Sequence, residues 1–546
     1  MPWVGCYAGR GLCAEVRAWP TSPGTSCKDH EFVRQDRFRE LVRHRLRLER
    51  GRIEKQAPYV VALAYPSPYR VGMSSLGYLQ IYRAIQGDRE LACERVFLGD
   101  DAGSGRLLDA PLSYEGLRPL SDFPVIAFSV AYELELAGVV QMLEAAGIPA
   151  PRTERDGRHP LIVAGGPLTF SNPLPLAAFV DAIVMGEADT LAVEALRVAS
   201  GTSGRANQLA ALAKMPHVFV PEHQEDAMPP IAQCDDALLP AWAPIQTPDT
   251  ELSDMFLVET ERGCSRGCSY CVMRRTTNGG MRIVGKERLL EIIPADARRV
   301  GLVGAAVSDH PEIVSIVESL VARGAEVGLS SLRPDRLKEP FVRALKSAGY
   351  RTLTTALDGA SDRVREILDR RARTTHIVSA AELAKKHGIA RLKLYLMLGV
   401  PGENDDDVDE CARFVSELSR ICPVALTVAP FCAKRNTPLD GQPFAGIDVV
   451  DARIERLRRG LRGRSQVRAT SARWAWVEYV LAQGGVREGM AVGAAVADGG
   501  RFAAYRKRLE ELPPIAKRKQ LVIIRSEAAE GRRHLRWLAP ADRAEP

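Results

Sequence analysis

Two successive series of short apolar runs, each run followed by an amphipathic helix, constrain the fold of this chain more than any other feature. The first series is YVVALAYP (59–66), FPVIAFSVAYE (123–133), HPLIVAGGP (159–167) and FVDAIVMGEAD (179–189). After the first run, Met73, Leu76, Leu79, Ile81, Tyr82 and Ile85 fall on one helical face. Strands that are apolar throughout belong to parallel sheets covered on both faces. The pattern predicts an α/β, doubly wound, Rossmann-like domain over residues 58–200. Ligands of such sheets sit at the carboxyl ends of the strands. Here those ends carry Ser129, Gly165, Gly166, Gly186 and Glu187.

The second series starts at Met255 with MFLVET (255–260). It continues through ARRVGLVGAAVSD (297–309), AEVGLSSLR (325–333), RTLTTALDGAS (351–361), RLKLYLMLGVPGEN (391–404) and PVALTVAPF (423–431). About six alternations of strand and helix predict a partial (β/α)6 barrel over residues 251–440, open where the eight-fold barrel closes. Its site lies at the C-terminal ends of the strands.

The rest of the chain divides into three parts. Residues 1–57 read as an extension whose charged helix (32–55) presents a solvated face of balanced Arg and Glu. Residues 201–250 read as a linker, Pro-rich from Met228 to Thr250, with HVFVPEH (217–223) as a short extra strand. Residues 441–546 read as a helical extension, Arg-rich from Ile447, with Trp474, Trp476 and Tyr479 among the arginines. Two readings of that stretch stay open: Arg and aromatic groups that contact RNA, or an amphipathic helix packed on the barrel rim.

Charge excludes little. The 74 basic and 68 acidic residues nearly cancel to +6, so the balance does not point to nucleic acid. No run of eighteen apolar residues predicts a membrane span. The first twenty residues lack a basic start followed by an apolar stretch, so no signal peptide is expected, and a cytoplasmic location follows.

Three of the eleven cysteines stand together, Cys264, Cys268 and Cys271, in ETERGCSRGCSYC. A structural zinc site takes four ligands. A [4Fe–4S] cluster takes one thiolate on each iron. Three clustered thiolates without a fourth point to a cluster with one iron left open, a place for a substrate or cofactor. On spacing alone a zinc knuckle remains open. The other eight cysteines show no paired spacing and read as ordinary thiols. No second cysteine cluster follows, so no auxiliary cluster is indicated.

The CxxxCxxC run, its apolar lead-in, Gly263 and Gly267 and the aromatic Tyr270 resemble the signature of the radical S-adenosylmethionine (SAM) superfamily. The resemblance implies that Cys264, Cys268 and Cys271 hold a [4Fe–4S] cluster whose free iron binds SAM. It also implies reductive cleavage of SAM to a 5′-deoxyadenosyl radical that abstracts hydrogen from a substrate. An electron donor such as flavodoxin or ferredoxin is expected with it. The strand ends then nominate SAM contacts: Gly304 with Ala305 and Ala306 for the amino group, Ser308 and Asp309 at the same rim, Ser330 and Ser331, Asp358 for the ribose, and Gly402 in GVPGE (399–403) near the adenine. The family's usual Gly-Gly-Glu is not spelled out at 304–306. No catalytic side chain is named. His310 could be a base, but a structural role suits a rim histidine better.

The phrases YPSPYRVGMSSLGYLQIYRAI, VAYELE and AGGP followed by NPLPLAAFVDAIVMGEAD resemble the B12-binding-like domain that precedes many radical SAM barrels. The resemblance implies cobalamin at Ser129, Gly165, Gly166 and Gly186. The DxHxxG loop that supplies a cobalt-ligating histidine is absent. Either cobalamin binds without one, or the domain keeps the fold and binds no cobalamin. The expected activity is radical SAM modification of an unknown substrate, with cobalamin-dependent methyl transfer as the leading reaction. The alternatives are cobalamin-independent modification of RNA or protein, as in methylthiotransferases, and a non-catalytic Fe–S protein.

Overall fold

The computed structural model describes residues 27–100, 110–273, 280–330, 332–513 and 534–537; side chains are described from residue 36 to residue 513. Ser331 lies outside the described residues.

The first apolar series forms one six-stranded sheet. Helix α1 (Cys27–Leu48) precedes it. The strands are β1 (Tyr59–Pro68), β2 (Leu91–Leu98), β3 (Val125–Ser129), β4 (Leu161–Gly165), β5 (Ala182–Val184) and β6 (Val218–Phe219), in the order β2-β1-β3-β4-β5-β6. The first five run parallel and β6 pairs antiparallel at the edge. Helices α2 (Leu76–Gly87), α3 (Leu136–Ala145), α4 (Leu191–Gly201) and α5 (Arg205–Ala213) connect them. The strand order reverses between β1 and β3, the switch point of a doubly wound sheet.

Three expectations change here. Strand β2, LACERVFL, was not foreseen, because Glu94 and Arg95 interrupt its apolar run. The fold accommodates Arg95, which has no exposed surface, by pairing it with Glu49 at 2.8 and 2.9 Å and with Glu115 at 2.6 Å. For the same reason the end of α1 is not a solvated face. Val42 is buried, and Arg45 is buried against Asp249, Tyr114 and Asp100 at 2.7–2.8 Å. The expected linker also begins too early, since α5 and β6 complete the first domain as far as Phe219.

The second series forms the open barrel. Strands β7 (Phe256–Glu259), β10 (Arg299–Val303) and β11 (Glu326–Leu329) pair in parallel. Strands β12 (Thr352–Asp358), β13 (Arg391–Leu398) and β14 (Val424–Pro430) continue the sheet, joined to it by a parallel bridge between Leu332 and Thr355. Between β7 and β10, β8 (Glu261–Gly263) and β9 (Gly280–Ile283) form a hairpin-like pair. Helices α6 (Lys286–Ile292), α7 (Ile313–Ala322), α8 (Glu339–Ser347), α9 (Asp362–Ile367), α10 (Thr374–Lys386), α11 (Asp405–Leu418) and α12 (Ile447–Gly460) alternate with the strands. A seventh strand, β15 (Gln466–Ala469), lies beyond the expected end of the barrel at 440 and pairs in parallel with β14. On β13, Leu392, Leu394, Leu396 and Leu398 are buried toward the helices. The half-buried Lys393, Tyr395 and Met397 share the other face, inside the barrel.

Helices α13 (Ala472–Gln483), α14 (Val486–Ala497) and α15 (Phe502–Glu510) follow. They pack on the first domain rather than serving only the barrel rim. Val477, Leu481, Val492, Ala495, Tyr505 and Leu509 share one core with Ile126, Phe128, Val139 and Phe179. Gly489 of α14 sits so close to that domain that a Cβ there would stand 2.0 Å from the Pro175 carbonyl oxygen. Asn172 Nδ2 donates to the carbonyls of Leu481, Ala482 and Gly484 at the C-terminal end of α13. Trp474 stacks edge-on against Tyr505 at 5.2 Å. Among the described residues, no helix is long and apolar enough to cross a membrane.

Candidate metal centre at the barrel mouth

Strands β7 and β8 deliver the cysteine loop to the carboxyl end of the barrel. Gly263 turns the chain there with φ +96°, a conformation that favours glycine. Cys264 packs against Met281, Ile283 and Ala306. Cys268 is buried, and its carbonyl accepts from the Cys271 amide at 3.3 Å, closing the turn. Burial pushes the Cys264 thiol up to about 11 and raises Cys271, and the nearby thiols add to the rise on both. Sulfurs gathered in a low-dielectric recess ionise only when a cation offsets their charge, which is what bound iron does. The set of three soft donors in one loop fits a [4Fe–4S] cluster. Among the described residues, no three His, Cys, Asp or Glu side chains converge on one ion-sized site. A cluster spreads its thiolates over separate irons, so that convergence is not its requirement.

Ion pairs hold the loop from outside. Asp309 accepts from Ser265 Oγ at 2.9 Å, Arg266 Nε at 3.0 Å and Arg336 Nε at 2.9 Å; burial pushes its carboxyl up, but Arg266, the charge of Arg333 and the Ser265 hydroxyl together hold it below the usual range. Arg266 also reaches Asp335 at 2.8 Å. Ser269 Oγ donates to the Ile367 carbonyl at 3.1 Å. Behind the loop, Arg262 pairs with Glu259 at 2.8 Å and with Asp189 of the first domain at 2.7 Å. Arg282 pairs with Glu187. These pairs join the β5 end of the first sheet to the strands that carry the cysteines.

The nominated SAM residues occupy this mouth in different ways. Gly304 donates its N–H to Ser330 Oγ at 3.1 Å, and its carbonyl accepts from the same hydroxyl at 2.8 Å. A Cβ on Gly304 would stand 2.0 Å from Glu261 Oε1. Glycine is needed here for the approach of a buried carboxyl that sequence reading missed. Burial pushes Glu261 up to about 8, and Oε1 accepts from the Ala306 amide at 2.8 Å. Ser308 is buried and accepts from the Arg333 amide at 2.9 Å. Asp358 ends β12 at φ +64°, in the left-handed region. Its Oδ2 accepts from Tyr270 at 2.9 Å and lies 2.6 Å from Arg370 Nε. Gly402 lies in the turn after β13 at φ +80°, and its carbonyl accepts from Arg363 at 2.9 Å. His310 uses both ring nitrogens on backbone, at 2.8 Å to the Val284 carbonyl and 3.1 Å to the Glu312 amide, which is a structural role.

Arg370 and Arg333 were also missed. Arg370 lies in DRRA, which reads as the tail of a charged helix, and no local pattern marks it as buried beside Cys268. Arg333 is buried too, with Asp335 and Asp309 only at 3.5 and 3.7 Å and with no hydrogen-bond partner on Nε.

The residues nominated for cobalamin stand at the carboxyl edge of the first sheet, as expected from their strands. Ser129 and Gly165 are half-buried register partners. Gly166, at φ +110°, lies against Val130, whose carbonyl oxygen would be 2.6 Å from a Cβ. Gly186, at φ +90°, bridges to Ala232, whose backbone would be 2.6 Å from a Cβ. The space that Gly166 and Gly186 leave is taken by the chain's own backbone, so these two glycines do not fit a corrin cradle.

A parallel sheet with a switch point, an open parallel barrel and a three-cysteine loop at its mouth define a radical SAM enzyme. Family models agree. Residues 77–221 match the model for radical SAM proteins, N-terminal, and residues 258–415 match the model for the radical SAM superfamily. The chain therefore carries both domains of a radical SAM protein, and a [4Fe–4S] cluster and SAM are the cofactors that membership implies. Among similar proteins is the uncharacterized protein MJ0966 of Methanocaldococcus jannaschii, 25% identical over 70% of this chain and 80% of that one. The uncharacterized methyltransferase PH0819 of Pyrococcus horikoshii is 23% identical over 47% of this chain and 58% of its own length. The ribosomal protein uS12 methylthiotransferase RimO of Geotalea uraniireducens is 26% identical over 38% of this chain and 48% of its own. Among solved structures, the cobalamin-dependent S-adenosylmethionine radical enzyme OxsB is 12% identical, with a TM-score of 0.44, over 74% of this chain and 56% of that one.

Proposed function

We propose that this enzyme binds SAM at the three-cysteine loop and uses it to modify a carbon of a substrate admitted to the barrel, with methyl transfer as the reaction class. The observation that carries the reading is the convergence at one barrel mouth of Cys264, Cys268 and Cys271 with Asp358, Arg370 and Tyr270. A [4Fe–4S] cluster held by the three thiolates, with its fourth iron free, would bind SAM and supply the electron that cleaves it to methionine and a 5′-deoxyadenosyl radical. The chain's own residues bind and orient. Asp358 offers a carboxylate to ribose hydroxyls. Arg333, short of partners and buried, suits the carboxylate of the SAM amino acid. Lys393, Tyr395 and Met397 line the interior that would hold the substrate away from water. The electron would come from a reductase of the flavodoxin or ferredoxin type.

Methyl transfer is favoured over methylthiolation because the sequence offers one cysteine cluster, and because the Pyrococcus relative bears a methyltransferase name. The test is anaerobic reconstitution with iron and sulfide, followed by SAM and a reductant. Formation of 5′-deoxyadenosine supports the reading, and a reconstituted protein that never cleaves SAM overturns it. The visible spectrum after incubation with hydroxocobalamin decides the cofactor of the transfer. Retained corrinoid bands assign cobalamin-dependent transfer, and their absence assigns chemistry without it.

A further inference from the structure

Arg370 touches both halves of the site. Its Nη1 donates to Cys268 Sγ at 3.7 Å, and its Nε lies 2.6 Å from Asp358 Oδ2. Tyr270, one residue before Cys271, donates to the same carboxylate oxygen at 2.9 Å. Arg370 and Asp358 are both buried. The carboxylate is held by one hydrogen bond from Tyr270 and one ion pair with Arg370, at a φ of +64°, a left-handed conformation uncommon outside glycine and asparagine or aspartate.

We propose that Arg370 is a positioning residue shared between the cluster and the nucleoside end of the site, setting the cluster's reduction potential while it fixes Asp358. The inference rests on the cluster reading above. A buried guanidinium beside a thiolate ligand favours the more negative, reduced cluster in two ways. Its charge attracts the added electron, and its N–H withdraws density from the sulfur. Asp358 opposes this by neutralising part of the same cation. The two residues therefore act on the potential with opposite signs, which packing alone would not produce.

The experiment is a redox titration of the reconstituted full-length protein, followed by electron paramagnetic resonance, alongside iron content per chain. Arg370→Gln removes the charge. It should make the cluster about tenfold harder to reduce, a downward shift of about 59 mV for one electron. Arg370→Lys keeps the charge without the forked reach to both partners, and should fall between Gln and the parent. Asp358→Asn keeps the shape, suits the positive φ, and should raise the potential. Opposite shifts in Arg370→Gln and Asp358→Asn, at unchanged iron content, support the proposal. Equal potentials in all variants, or shifts of the same sign, overturn it. If Arg370→Gln does not fold, Asp358→Asn alone decides: a rise supports the proposal and no rise overturns it. A parent protein that takes up no iron overturns the cluster reading itself, and this inference with it.

Discussion

Lys434 Nζ stands 2.7 Å from Glu133 Oε2, so a lysine just past the last strand of the β12–β14 run meets a buried glutamate just past β3 of the first domain. The same ammonium lies 2.7 Å from Glu478 on α13. One cation thus ties together the barrel, the first domain and the C-terminal helices. Burial pushes Glu133 above its ordinary value while Lys434 opposes the rise. Replacing Lys434 with Met leaves that carboxyl buried without its partner. The expected cost is about 3–5 kcal/mol. Denaturant unfolding of Lys434→Met, with and without Glu133→Gln, checks this. The double variant should recover part of the loss, and no recovery would show that the two side chains are not coupled.

The three cysteines make the sharpest chemical prediction. Alanine at any one of Cys264, Cys268 or Cys271 should abolish stable iron incorporation and SAM cleavage, since each thiolate is expected to hold its own iron. Alanine at Cys411, buried in α11, should leave iron content unchanged. Iron and sulfide assays after anaerobic reconstitution read both. A Cys268→Ala protein with full iron would refute the ligand assignment.

Glu261 predicts a pH dependence of stability. Its folded value is about 8 against an ordinary 4.5, so folding takes up a proton between those limits. Stability from this group is therefore complete below about pH 4.5 and is lost as pH rises toward 8. Glu261→Gln keeps the shape and cannot ionise. Thermal midpoints at about pH 5 and about pH 9 should fall more steeply for the parent than for this variant. Parallel slopes would exclude the effect.

The C-terminal helices are predicted to be part of the first domain's core. Leu481 is 1% exposed and packs with residues of that domain. Leu481→Ala should cost about 2–5 kcal/mol, as a buried leucine does when it leaves a cavity. The loss should appear in hydrogen exchange at β3 and β4 as well as in α13. Protection lost only in α13 would place the helix outside the core.

Local patterning marked most of the strands because a buried parallel strand must be apolar along its length, and it marked the cysteine loop because ligand spacing is a property of adjacent residues. The six expected barrel strands and the first sheet's β1, β3, β4 and β5 were legible for that reason. Strand β2 was not, because Arg95 is satisfied by Glu49 and Glu115, and no local pattern reveals a partner 46 positions away. Gly304 was read as a SAM contact, yet its missing side chain also makes room for Glu261, 43 residues earlier.

The amino-acid order by itself determined the alternating α/β architecture, the place of the open barrel and the identity of the three thiols, since each depends on periodicity or on neighbouring residues. Only the tertiary structure decided that α13, α14 and α15 bury their apolar faces on the first domain. It also decided that the chain's own backbone fills the space beside Gly166 and Gly186, and that Arg370 joins Cys268 to Asp358. These outcomes depend on charges and surfaces that meet across long sequence separations. A buried ion pair or a shared core carries no periodic signal, and it exists only once both sides have been brought together out of water.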